Sequence, residues 1–209
     1  MTRAAAFLAA AFCCTALAQD APRGGALFLV ADPALADPNF GKTVVLVTRH
    51  AEVAGPIGVI INRPTAIAVA RAFPDAGKLA GAEDKLYVGG PVSRHVFFYV
   101  LRAAEPPPDA VEVAEGVYLG WNPKHLKALL EREKPLEGLR IYAGHAAWSP
   151  GQLEAEVARG FWKSARPDAR SIFATRPENL WPELIRRAAA TPARLELGTG
   201  DHKGGSPWH

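Results

Sequence analysis

The sequence predicts an α+β fold in one domain, from three observations. Apolar, β-branched runs crowd the first half of the chain while helical patterns gather in the second, so strands and helices do not alternate as in a doubly wound sheet. The chain has 209 residues, 49% of them hydrophobic and 22% charged, a globular composition long enough for one real core. Its 18 prolines and 19 glycines predict short elements separated by many turns.

In chain order, Gly24 to Ala31 reads as a buried strand, because Ala26 to Val30 is a continuous apolar run. Pro33 and Pro38 mark a loop. Thr43 to Thr48 and Ile57 to Ile61 are two further strands, separated by the Gly55-Pro56 turn. Ile67, Val69, Ala70 and Phe73 are spaced for a short helix over Thr65 to Phe73. Leu86 to Val88 and Val96 to Leu101 are strands joined through Gly89-Gly90-Pro91. A proline-rich loop precedes a hairpin of Val111–Val113 and Val117–Leu119. Asn122 and Pro123 are suited to cap and open a helix with Leu126, Leu129 and Leu130 on its inner face and Pro135 at its end. Leu139 to Ala143 is a strand. Ser149, Pro150 and Gln152 form a capping-box pattern ahead of a helix that stops at Gly160. Ser171 to Ala174 reads as a short strand. The last helix lies within Pro177 to Ala190, and Pro182 is expected to start it, since an interior proline costs a helix about 3 kcal/mol. The stretch 191–209 is polar and Gly-rich and is expected to be a disordered tail.

The first 18 residues read as a secretory signal. Arg3 is the only charge before Asp20, an alanine-rich apolar run covers Ala4 to Cys14, and Ala16-Leu17-Ala18 offers small residues at the cleavage positions. Cleavage after Ala18 implies a periplasmic or secreted protein; without it, the chain is retained in the cytoplasm or held by an N-terminal anchor. Cys13 and Cys14 lie inside that signal, so the mature chain has no disulfide, thiolate nucleophile or cysteine metal site. Its net charge is 23 − 21 = +2 once Arg3 is removed, without the stripe of Lys and Arg that nucleic-acid binders display. No mature segment is long and apolar enough to span a bilayer.

The usual catalytic signatures are missing. His50, His95, His125, His145, His202 and His209 form no metal-type spacing. Gly89-Gly90-Pro91 lacks the lysine and the helix of a phosphate loop. Ser149 sits near His145 without a nucleophile elbow, and the helix cap already explains it. No cofactor and no metal are expected.

Four ordered blocks resemble one family. Gly25 to Pro33 with Asp37-Pro-Asn-Phe40 and Thr43-Val44, then Gly58 to Pro64, then Gly89 to Val92, then Tyr142 to Glu154 are similar to the blocks of the YqgE/AlgH proteins. The resemblance spans 24–190. It implies a compact α+β domain with a bent, partly barrel-like mixed sheet flanked by a few helices, and it brings no established catalytic residues. Some members carry a transcriptional-regulator label, a role that export would remove. The fourth block departs from the family, with His145 where an aromatic is usual and Ala147 where glycine is usual.

If the blocks converge, the candidate binding residues are Asp37, Asn62, Arg63, His145, Trp148 and Gln152. Arg63 would hold an anion and Asn62 would hydrogen-bond it; Trp148 would form a wall and Gln152 would fix orientation. Each also has a plain structural reading: Asp37 as a turn cap, and Asn62-Arg63-Pro64 as a strand end. The expected function is a non-catalytic exported binding or interaction module for a small anion or a protein partner. The alternatives are the family's regulator label and a hydrolase-like enzyme using His145 as general base.

Overall fold

The computed structural model describes residues 25–49 and 54–190. The expected signal and the expected tail lie outside them. Among the described residues ten strands form a strongly curled sheet, a half-barrel with five helices around it; eight follow the order β10-β1-β2-β3-β9-β6-β8-β7, and β5 branches from β9 and carries β4. The strands are β1 (Leu27–Ala31), β2 (Val44–Thr48), β3 (Ile57–Ile60), β4 (Pro64–Ala68), β5 (Lys85–Val88), β6 (Val92–Arg102), β7 (Ala110–Ala114), β8 (Val117–Gly120), β9 (Leu139–Ala147) and β10 (Trp162–Ala165). The helices are α1 (Val69–Ala72), α2 (Pro123–Leu130), α3 (Gln152–Ala158), α4 (Ala169–Ile172) and α5 (Leu180–Ala190). Pairing is antiparallel except between β5 and β9.

The continuous apolar runs follow from burial on both faces. In β1 and β2, Phe28, Val30, Val44 and Leu46 enter the core enclosed by the curl. Their neighbours Leu29, Ala31, Val45 and Val47 enter an outer core under α3, as the two-residue period of a strand requires. The other half of the sheet repeats this: Phe98, Val100 and Tyr142 face inward, while Tyr99, Leu101 and Ile141 pack under α1 and α2. Each fully buried aliphatic side chain stabilises the fold by about 1.5–3 kcal/mol.

Strand β9 joins the halves. It pairs with β6 from Leu139 to His145 and with β3 through Ala146 and Ala147, bending at Gly144, whose φ is +71°. Gly89 and Gly90 cross its backbone here. A Cβ on Gly89 would lie 2.1 Å from the Gly144 carbonyl oxygen, and one on Gly90 would lie 2.2 Å from the His145 carbonyl carbon. The third and fourth motif blocks are therefore in backbone contact, and only glycine permits it.

Several expected elements differ. Thr65 to Ala68 belongs to β4, and only Val69 to Ala72 is helical; pairing of β4 with β5 outweighs a four-residue helical spacing that has no polar cap. Helix α2 is capped by Asn122 as expected, but it ends at Leu130, well before Pro135. Strand β9 runs on to Ala147, so His145 lies on a strand and not in a turn. Helix α3 begins at Gln152 with Gly151 as a left-handed N-cap, and Ser149 supplies no side-chain cap. Half of the capping box survives, with Gln152 Oε1 accepting from the Ser149 amide at 3.0 Å. Ser171 and Ile172 are helical, because Asp168 caps α4 through the Ser171 amide at 2.7 Å. The strand in this region is instead β10, which pairs with β1. Pro182 is the third residue of α5, in the first turn, where no intrahelical donor is required.

Candidate functional site

Asp37, Asn62 and Arg63 converge on the loop between β1 and β2. Asp37 Oδ1 accepts from the amides of Asn39 at 2.7 Å and Phe40 at 3.1 Å. Asn62, just beyond β3, accepts at Oδ1 from the Val44 amide at 2.8 Å and donates from Nδ2 to the Lys42 carbonyl at 3.0 Å. That second bond holds Lys42 in a left-handed conformation, φ +57°, which is strained for a non-glycine residue. Pro64 keeps Arg63 out of the helical region, and its guanidinium donates to the Asn39 carbonyl from Nη1 and to the Gly41 carbonyl from Nη2, the latter at 3.0 Å. Burial lowers the Arg63 pKa, and Asp37 pushes it back up. These groups clamp the loop, and Arg63 spends two of its donors on the loop's own carbonyls.

The clamp presents Phe40 to a tryptophan pair. Phe40 lies 6.3 Å from Trp148 and 5.7 Å from Trp162, ring centre to ring centre, and the two indoles meet edge to face at 6.1 Å. Both indole N–H groups donate to one carboxylate oxygen, Glu156 Oε2, at 2.9 and 2.8 Å. Gln152 Nε2 donates to the other oxygen at 2.9 Å. Arg49 pairs with Glu154 beside them. Five of the six sequence candidates thus form one continuous structure, with their polar groups directed at one another. Glu156 and Trp162 are the members that sequence reasoning missed. Helical spacing assigns Glu156 to a solvated face, and Trp162 reaches it only through the β1–β10 pairing.

His145 stands apart, on the opposite pleat of β9. Its ring lies 4.9 Å from Phe98 at an angle of 36°. Its Nδ1 is buried without a hydrogen-bond partner among the described residues, and burial lowers its pKa. It has neither the hydroxyl nor the carboxylate that general-base work asks for. Among the described residues no group of three or more His, Cys, Asp and Glu is placed to hold a metal, and no helix is long and apolar enough to cross a membrane.

A concavity lies elsewhere. A cleft of about 540 Å³ opens between residues 72–76, the start of β6, Trp121 and α2. Phe73 and Phe97, 4.7 Å apart, line it with Val96, Trp121, Leu126 and Leu130, and His95, Lys127, Asp75 and Glu131 stand among its polar groups. None of the six sequence candidates lines it. Beside it β6 has an irregular, bulged stretch. Strand β8 takes Tyr99 to Arg102, and β9 takes Val92 and then Phe97 to Leu101, so Ser93 to Val96 is in register with neither. Ser93 marks the irregularity with φ +46°.

A family profile described as AlgH-like matches residues 28–193. The chain belongs to this family. An AlgH-like relative from Streptomyces avermitilis, a UPF0301 protein, is 40% identical over 167 residues, covering 76% of this chain and 83% of the relative. A UPF0301 protein from Anaeromyxobacter dehalogenans is 37% identical over 193 residues, 87% of this chain and 97% of the relative. The solution structure of the AlgH protein from Pseudomonas aeruginosa superposes with a TM-score of 0.63 at 30% identity, covering 85% of this chain and 94% of that one. A crystal structure from Corynebacterium diphtheriae, protein DIP2367, gives 0.62 at 26% identity, with 84% and 91% covered. The four blocks that carried the resemblance are, in this AlgH-like chain, the loop clamp, the tryptophan node and the glycine crossing.

His145 gives the fold's stability a pH dependence. A histidine whose pKa is lowered by burial binds its proton more readily in the unfolded chain. Its contribution to stability is complete above the ordinary value of 6.5 and falls as pH drops below it. His125, also lowered, chiefly by burial, acts in the same sense. Replacing His145 by Phe, which keeps a ring against Phe98, should flatten the loss of stability below pH 6.5 without abolishing it. Urea unfolding at a series of pH values measures this.

Proposed function

We propose that this AlgH-like protein is a non-catalytic, exported binding module that takes an extended, apolar segment of a partner polypeptide. The observation that carries the reading is the cleft beside Ser93–Val96. A bulged strand stretch out of register with its neighbours offers backbone donors and acceptors to an added strand, and the adjoining aromatic and aliphatic wall supplies pockets for alternate side chains. The charged groups at the cleft limit non-specific strand pairing, as edge charges do elsewhere. Export is supported by the arrangement of Arg3, the apolar run from Ala4 to Cys14 and Ala16-Leu17-Ala18.

Two experiments test the two halves of this reading. N-terminal sequencing of the native protein from fractionated cells should find Gln19 first, in the periplasmic or secreted fraction; Met1 in the cytoplasmic fraction would contradict export. Titration of the isotope-labelled protein with an alternating Val-Thr hexapeptide should move the amide signals of Ser93 to Phe97 and the Trp121 indole, with saturation. Val96→Lys should remove that response while the protein still unfolds cooperatively. Shifts that persist in the variant, or that map to other strands, would contradict the binding reading.

A further inference from the structure

The geometry points to a second, independent ligand site: a small cationic pocket for a tetrahedral oxyanion, the phosphate group of a free ion or of a phosphomonoester. A cavity of about 230 Å³ lies where β5, β9 and the residue following α4 meet, lined by Lys85, Tyr87, Gly138, Arg140, Phe173 and Asp84 among others. The Arg140 guanidinium carbon sits 5.0 Å from the centre of the Tyr87 ring and 5.8 Å from that of Phe173. A second guanidinium, Arg102, lies 5.0 Å from the Phe173 ring, and its side chain runs beside Gly138. Cations held against aromatic faces in this way are fixed in place without being neutralised.

The cations are left with binding capacity. Arg140 donates from Nη1 to the Ile172 carbonyl at 2.8 Å and from Nη2 to the Ala174 carbonyl. A guanidinium has five N–H groups in a rigid fork; two go to these carbonyls and one faces the Tyr142 hydroxyl, so two remain. Arg140 carries them beside a cavity. None of Lys85, Arg102 and Arg140 forms an ion pair within 4.0 Å among the described residues. At the lining itself Lys85 and Arg140 stand against Asp84; Arg102 lies beside Phe173 and Glu178 near Tyr87. Behind Tyr87, its ring centre 5.4 Å away, is the fully buried Tyr142, whose hydroxyl faces Arg140. A phosphate group matches this donor set: the fork takes two oxygens, and the exposed Lys85 adds a point charge.

The test uses the full chain, isotope-labelled, titrated with sodium phosphate and separately with glycerol 3-phosphate, against sodium chloride at matched ionic strength. The site predicts saturable shifts at Lys85, Tyr87, Gly138 and Arg140 with both phosphates and none with chloride. Tighter binding of the ester identifies a phosphate presented by a larger molecule; equal binding identifies the free ion. Lys85→Ala and Arg102→Gln, both at exposed positions, should each weaken binding at least fivefold. Arg140→Gln should abolish it, and if that variant does not fold because α4 loses its anchor, the two surface variants decide. Shifts that do not saturate, that follow chloride, or that are unchanged in Lys85→Ala and Arg102→Gln overturn the assignment. The cleft beside β6 shares no lining residue with this pocket, so failure here leaves the peptide-binding reading untouched.

Discussion

The crossing of Gly89-Gly90 over Gly144-His145 is the constraint on which the rest of the structure depends. Two backbone segments approach so closely that a single Cβ would fall within 2.1–2.2 Å of carbonyl atoms, well inside van der Waals contact. The approach lets β5 run parallel to β9 at Tyr142 and Ala143, and it places the bend of β9 where pairing passes from β6 to β3. Without that bend the two halves of the sheet would have no common strand, and the enclosed core, to which both contribute, would not close.

The second consequence concerns the motif residues. Blocks with this many polar side chains invite a functional reading, yet most of those side chains are answered within the chain. Arg63 and Asn62 hold four backbone groups of one loop, and Glu156 receives two indoles and an amide. Leaving any of these buried groups unpaired costs about 1–3 kcal/mol, which is a large part of a small domain's net stability. The parts of the surface with unanswered chemistry are different ones: the cleft beside the bulged stretch of β6, and the pocket under Arg140. Neither contains a residue from the candidate set.

Much of the fold was legible because its signals are local. Asn122-Pro123 announced α2, and the apolar runs of β1, β2 and β3 announced strands buried on both faces. The failures are equally physical. Ser171 to Ala174 has strand-like composition, but Asp168 captures the Ser171 amide and hydroxyl and turns it helical. Trp162 to Ala165 becomes a strand only because β1, far away in sequence, offers it an edge. Five of the six candidates, all but His145, lie together in space, but grouping does not reveal whether a donor points at a ligand or at the chain's own carbonyls. The cleft left no mark at all, since Phe73, Phe97 and the Trp121–Leu126 stretch come from three separate segments and look like core residues.

The measurement that tests this account most directly is hydrogen exchange on a Gly90→Ala variant, followed residue by residue along β9. If the crossing holds the two halves together, protection should fall together at Ala146–Ala147, which face β3, and at Leu139–Ala143, which face β6, and the thermal midpoint should drop by at least several degrees. Wild-type protection along both stretches with an unchanged midpoint would contradict the claim that this crossing is what the fold depends on.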